Sequence, residues 1–417
     1  MRSKLLVYAF LLSGGFSFML ISCSKFDMQD DKYFVKYYGE DGDQVSVDMV
    51  SNSDGSIVLL GKTSAGNNRI LIIKVDSKGS VVWQKKIGSD TDDPKDIEPL
   101  TNGDGFVILS DYEQSAGNVD VKLIQISSDG SEVKTSTHGS PYNDHSKALT
   151  VLDDGGFIVA GYSEFDWRPS DNVNRVTSIL HYRCDSELIF RSDWPENFGS
   201  GSYNIATKVI QSKDSIYVFG VTNAGSSQNP NDKKVIIYYS IGESGPKDAV
   251  NYLGDLNSDT DVSCILKTPD ELIDGYFIVG TSDLQSASPR LRLSKLKDPL
   301  HFNNTDDIQF DKTVNDGTFA SRNITGISAS SSVIASQGYL VVSNETDLTG
   351  QTNVLLSKIN QEGNELWTTS YGSSKNDNGA AVAELPNGKI LILCTIQMDI
   401  QLKMALLKVN SRGQFSN

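Results

Sequence analysis

The chain is 417 residues long and carries 53 acidic against 37 basic side chains, for a formal net charge of −16. With no basic run to offset it, that balance disfavours nucleic acid and anionic lipid headgroups as partners. The length would hold several ordinary domains, yet no Pro-rich or low-complexity linker divides it, so a single repeat array is expected.

The first residues, MRSKLLVYAFLLSGGFSFMLISCSK, combine a basic start at Arg2 and Lys4 with an apolar stretch that ends in Leu20, Ile21, Ser22 and Cys23. That order reads as a secretory leader over residues 1–22. The alternative is an uncleaved transmembrane anchor, since residues 5–22 are nearly long enough to span a bilayer. Gly14, Gly15 and the placement of Cys23 favour the leader. Its tail resembles the lipobox of bacterial lipoproteins, which implies that Cys23 is lipidated and becomes the new N-terminus, with residues 23–32 as a tether. The acidic cluster Asp27, Asp30 and Asp31 is similar to the export signal of Bacteroidetes surface lipoproteins, which implies an outer-membrane address, surface-exposed or periplasmic.

From residue 33 onward the chain repeats itself. SNSDGSIVLLGKT, TNGDGFVILSDY, LDDGGFIVAGYS, LIDGYFIVGTS and LPNGKILILCT share a turn followed by an apolar run. The clearest unit orders VSVDMV, SIVLLGKT, RILIIKVD and SVVWQKKIG, four runs rich in β-branched and aromatic residues with Gly, Asn, Asp and Ser between them. Each unit therefore reads as a four-stranded antiparallel meander. Counted by their second strands, units centre on residues 57–61, 106–110, 157–161, 216–220, 276–280, 339–343 and 390–394, a period suited to propeller blades. The fold expected is all-β: a seven-bladed β-propeller forming one domain over residues 33–417. The last unit lacks a closing strand, whereas FVKYYG (34–39) superposes on WTTSYG (367–372), so the N-terminal strand is expected to complete the seventh blade.

The recurrence of Trp, then YG or IG, an Asp shortly after, and DGG before an apolar strand resembles extracellular β-propeller repeats of Bacteroidetes-type lipoproteins of unassigned function. The resemblance covers about residues 34–417. It departs in units four to six, where Lys213-Asp214-Ser215 replaces DGG in unit four. The spacing of Asp76, Gly79 and Trp83, echoed by Asn360, Gly363 and Trp367, is similar to the tryptophan-docking motif of quinoprotein propellers. That likeness implies that the Trp joins neighbouring blades, and it implies no quinone.

Asp93, Asp144, Asp259, Asp316 and Asp377 recur at the same place in successive units and read as turn residues that bond nearby amides. Acidic runs at 39–43 and 89–93 lack the ligand spacing of an EF-hand, and the four histidines match no zinc motif, so no metal or other cofactor is expected. Cys184, Cys264 and Cys394 are odd in number and lie in apolar runs, which fits buried free thiols. No nucleophile elbow, HExxH or P-loop appears.

Insertions at 164–175, 223–234 and 283–290 lie between second and third strands of units three to five, and Phe165, Trp167 and Arg168 are the candidate contact residues. A non-enzymatic scaffold for an envelope or extracellular protein is the leading expectation. The alternatives are a surface glycan-binding module, with Phe165 and Trp167 stacking on sugar, or an enzyme acting on a polysaccharide or peptide in the central channel.

Overall fold

The computed structural model describes residues 33–416 except 68, 165–176, 193–196, 200–201, 224–232, 243–244, 248–249, 255–257, 269–274, 284–285, 287, 302–306, 315–322 and 332–337. These form seven antiparallel sheets arranged as a closed ring, a seven-bladed β-propeller, with no α-helix among the described residues. Blade 1 is built from Gln44–Ser51, Ile57–Thr63, Ile70–Val75 and Val81–Ile87. The first strands of blades 2 to 6 are Asp92–Pro99, Asp144–Val151, Asn204–Ser212, Thr260–Thr268 and Asn323–Ser331.

Blade 7 takes Asp377–Glu384, Ile390–Met398 and Gln401–Val409 from the C-terminus and its outer strand, Phe34–Tyr38, from the other end of the chain. Phe34 pairs with Lys408 and Tyr38 with Met404, which confirms the expected closure. Hydrogen bonding of this strand removes the edge that the last three strands would otherwise expose.

The core is not one centre but seven seams, one per blade junction. Val58, Leu60, Ile70 and Ile72 of blade 1 meet Ile97, Phe106, Ile108 and Ile124 of blade 2, and equivalent clusters fill the other junctions. The central strands are buried on both faces, so they read as continuous apolar runs such as IVLL and FVIL rather than as alternation.

Every first strand carries a bulge at the same register, at Ser46/Asp48, Pro94/Asp96, Ser146/Ala148, Ala206/Lys208, Val262/Cys264, Gly326/Ser328 and Gly379/Ala381. A bulge re-aims side chains, and here it turns part of each innermost strand toward the axis. It also explains the glycine that recurs two residues before the end of second strands, as Gly61, Gly161, Gly220 and Gly280. A Cβ at Gly161 or Gly220 would lie 2.0 Å from the carbonyl oxygen of the facing bulge, His145 or Ile205.

Outer strands join the ring by a second device. The Trp83 ring lies on the turn glycine Gly130 of blade 2, Trp367 on Gly413 of blade 7, Phe310 on Gly363 of blade 6 and Phe34 on Gly79 of blade 1. All four glycines have φ between +71° and +79°, so a side chain there would be strained and would also displace the aromatic. The tryptophan reading of the sequence is thus correct, and Phe serves in the same place. Unit four's departure from DGG is tolerated because Lys213 itself adopts φ 53° in that turn.

Candidate functional site

Phe165, Trp167 and Arg168 lie outside the described residues, as does Cys23. The ends of the blade 3 insertion are placed: the Glu164 amide donates to the Asn143 carbonyl at 2.9 Å and the Thr177 amide to Ser202 at 3.2 Å. In an antiparallel four-stranded blade, the connection from second to third strand and the connection to the next blade open on one face. All three insertions therefore leave from the same face. The outer strand of blade 7 begins at the other face, where Phe34 rests on the Asp76–Gly79 turn between third and fourth strands of blade 1.

The register corrects the recurring aspartates. Two residues before each bulge stand Gln44, Asp92, Asp144, Asn204, Thr260, Ile324 and Asp377, all at most 1% exposed. Asp93 and Asp259 are one residue off that position: Asp93 instead pairs with Lys62 and Lys95, both at 2.6 Å, and Asp259 accepts the Lys234 amide at 3.0 Å. Asp316 lies outside the described residues. Adjacent acidic residues made the shift invisible in the sequence. The assigned task holds for Asp144 and Asp377, which accept the amides of Ser140 and Ser373 in the preceding loops, and in blade 2 it falls to Asp92 with Ser89 instead of to Asp93.

A channel of roughly 1100 Å³ follows the ring axis. Just after the bulges its wall carries, in blade order, Asp48, Asp96, Ala148, Lys208, Cys264, Ser328 and Ala381. One arc is charged and the other small and uncharged. Because blade 3 offers only Ala148, the Lys208 side chain of blade 4 reaches past it. Its ammonium donates to the Leu149 carbonyl at 2.7 Å and to Glu98 at 3.0 Å, and stands 3.4 Å from Asp96. Asp96 also accepts the Leu149 amide at 2.7 Å.

Burial in the channel wall holds the Asp48 carboxyl well above the usual carboxylate range, and the charge of Asp96 and a hydrogen bond with it add to that. Burial raises Glu98 too, against the opposing pull of Lys208, whose own charge is held by Asp96 and Glu98. Cys264 is free but only half-buried, a correction to its sequence reading: it lines the channel while packing against the seam of blades 5 and 6, and burial raises its thiol. Cys184 and Cys394 are buried and free as expected, Cys184 being pushed up to about 12. The missed channel residues had only a partial signal: each lies in the first strand ahead of Gly61, Ser110, Gly161 or Gly220, but the turns between differ in length, so no fixed count places them.

At the mouth of the channel, Asp111 accepts the Ser146 hydroxyl at 2.6 Å and stands 3.2 Å from His145 Nδ1. The carboxylate bridges here, whereas a nucleophilic triad needs the imidazole between serine and acid. Among the described residues, no three His, Cys, Asp or Glu side chains converge so as to hold a metal.

No protein-family model and no curated protein sequence matches the chain. Among solved structures it is similar to Kuenenia stuttgartiensis hydrazine synthase, at 10% identity and a TM-score of 0.53 over 88% of this chain and 97% of that one. The Myceliophteria thermophila Cps50 (Swd1) β-propeller domain aligns at 8% identity and a TM-score of 0.50, covering 90% and 99%. A protein of unknown function from Bacteroides caccae aligns at 12% identity and a TM-score of 0.44, covering 79% and 94%. Likeness at this identity establishes the propeller and leaves the activity open.

Proposed function

We propose that the chain is a lipid-anchored extracytoplasmic scaffold whose propeller holds another envelope or extracellular protein, without catalysis, on the face bearing the blade 3 to 5 insertions. The observation that carries this reading is the opposition of the two faces: the first described strand begins on the face away from those insertions. A lipid on Cys23, about ten residues before Phe34, would hold the ring within roughly 35 Å of a bilayer with the insertions pointing outward. Loops displayed on a rigid ring suit recognition. The paired carboxyls and Lys208 are engaged with one another, which fits a structural role for the channel.

Crosslinking in native cells, followed by affinity capture and mass spectrometry, tests it. A stoichiometric protein crosslinked within residues 164–234 is the expected result, with Trp167→Ala reducing capture at unchanged melting temperature. Capture of glycan alone would replace the scaffold with the carbohydrate reading.

Acidic side chains do converge in the channel, and that favours a second reading, hydrolysis of a polysaccharide or peptide there. Against it, glycosidase carboxyls stand about 5 Å or more apart to admit the bond they cleave, whereas Asp48 and Asp96 touch. Turnover of a captured glycan or peptide that Glu98→Gln abolishes would establish it.

A further inference from the structure

The buried residue two places before each bulge lies at the mouth of a seam, and most of these are met by a donor. Gln44 accepts the Lys403 ammonium at 2.9 Å, Asp92 that of Lys122 at 2.8 Å, and Thr260 the Arg292 guanidinium at 3.4 Å. Asn204 accepts the Thr222 hydroxyl at 2.8 Å, and Asp377 Oδ1 the Gln397 amide at 3.0 Å. Three of these five donors are cations supplied by the chain itself.

Asp144, at the seam of blades 2 and 3, is different. Its Oδ2 accepts the Ser140 amide and the Tyr182 hydroxyl, but its fully buried Oδ1 has no partner. Lys122 sits opposite Ser110 in blade 2, and the same position of blade 3, opposite Gly161, is Leu180. The ammonium that compensates Asp92 thus has no counterpart beside Asp144.

Further oxygens gather at the same place. Ser163, paired directly across from Asp144 and 1% exposed, has a hydroxyl without a partner. From blade 2, Asp120 Oδ1 is also buried and unpartnered. Asp120 lies against the loop that holds Asp144, since a Cβ on Gly139 would stand 2.1 Å from its Oδ1, while the Val119 amide donates to Asn143 at 3.1 Å. Burial, then the nearby Asp144 charge, raises the Asp120 carboxyl against the opposing pull of His138, whose ring lies 4.5 Å from that of Tyr182. The seam of blades 6 and 7 has the same arrangement, with Asn353 Oδ1 2.0 Å from a Cβ on Gly372. There the side chain is a neutral amide with its own N–H donors; at Asp120 it is a carboxyl.

We propose that the mouth of the blade 2–blade 3 seam is a binding site for one hard divalent cation of the calcium class, held by Asp120, Asp144 and Ser163 beneath the 139–143 loop. Two of those three side chains can only accept while the acids are ionised. One water offers two hydrogens and a shared proton offers one, whereas a calcium-class ion takes six to eight oxygen ligands and balances two carboxylates. It would do in blade 3 what Lys122 does in blade 2. The ion would also fix the loop beside the root of the blade 3 insertion.

The full-length chain, stripped of divalent ions and kept in detergent, should bind calcium with a stoichiometry of one by calorimetry. Its melting temperature should rise saturably, by about 2–5 °C at a hundredfold excess over Kd. Asp120→Asn, which installs the residue the blade 6–blade 7 seam already uses, should fold and lose both responses. Three results would overturn the site: no calcium binding; binding that survives in both Asp120→Asn and Ser163→Ala; or calcium-independent melting that rises on acidification in the native chain but not in Asp120→Asn. The last would show that a proton, not a metal, relieves the carboxylates.

Discussion

The junction of blades 1 and 2 and the junction of blades 2 and 3 join equivalent sheets by different means. In the first, Trp83 lies on Gly130, and Lys122 neutralises Asp92. In the second, Lys134 stands where the aromatic would be and pairs with Glu187, the receiving glycine is replaced by the buried Leu188 at φ 59°, and Leu180 stands where the lysine would be. Ring and glycine have been lost together, as expected if each is useful only with the other. The comparison separates positions that repeat because every blade must dock from positions released for local use.

The largest expected effect comes from breaking the shared device at its origin. Removing residues up to 39 takes the outer strand from blade 7 and the Phe34 ring from Gly79, so the ring loses its closure. Circular dichroism and a thermal scan should show loss of the cooperative transition. A chain that melts normally would mean that the first strand is ornamental.

One level down, Trp83→Ala removes a half-buried aromatic from the first junction and should cost about 2–4 kcal/mol, read as a shift in denaturation midpoint. Gly130→Val attacks the same contact from the other side, by strain at positive φ and by collision with the ring. The double variant should lose much less than the sum, because the two changes delete one contact. Full additivity would mean that the ring and the glycine act separately.

The sequence made the first junction legible and the second only in part. Apolar runs, turn glycines and docking aromatics repeat because backbone geometry repeats, so a period reveals them. The bulge that gathers Asp48, Asp96 and Lys208 at the axis leaves no local mark beyond a small residue in the facing strand. Neighbouring acids such as Asp92 and Asp93 hide the register on which burial depends. Side chains brought near one another across a seam, as Asp120 and Asp144 are, are separated by a strand and its flanking turns in the chain. Phe165, Trp167 and Arg168 stood out for the opposite reason: they are aromatic and basic where the repeat has only polar turn residues.

Asp48→Asn tests the channel. The Asp48 carboxyl is raised in the folded protein, so between the ordinary carboxyl value and the raised one the native state holds a proton that the unfolded chain has released. The stability it contributes is full at low pH and fades as pH climbs through the folded value. The variant has no such group and should therefore be the more stable protein at pH 8, by on the order of 1 kcal/mol, with the advantage shrinking toward pH 5. An advantage independent of pH would assign the effect to packing instead of ionisation.

The smallest effect belongs to the substitute device. Lys134 and Glu187 are both substantially exposed, with side chains 37% and 69% accessible. Such pairs are worth about 0.2–1 kcal/mol, far below an aromatic seated on glycine. A double-mutant cycle with Lys134→Ala and Glu187→Ala should give a coupling in that range that vanishes in 1 M salt, where the screening length falls to about 3 Å. Coupling as large as that of Trp83 with Gly130 would mean that the ion pair locks the blades as the ring does. Weak coupling would leave the blade 2–blade 3 junction as the softer one, held by its seam and by whatever compensates Asp144.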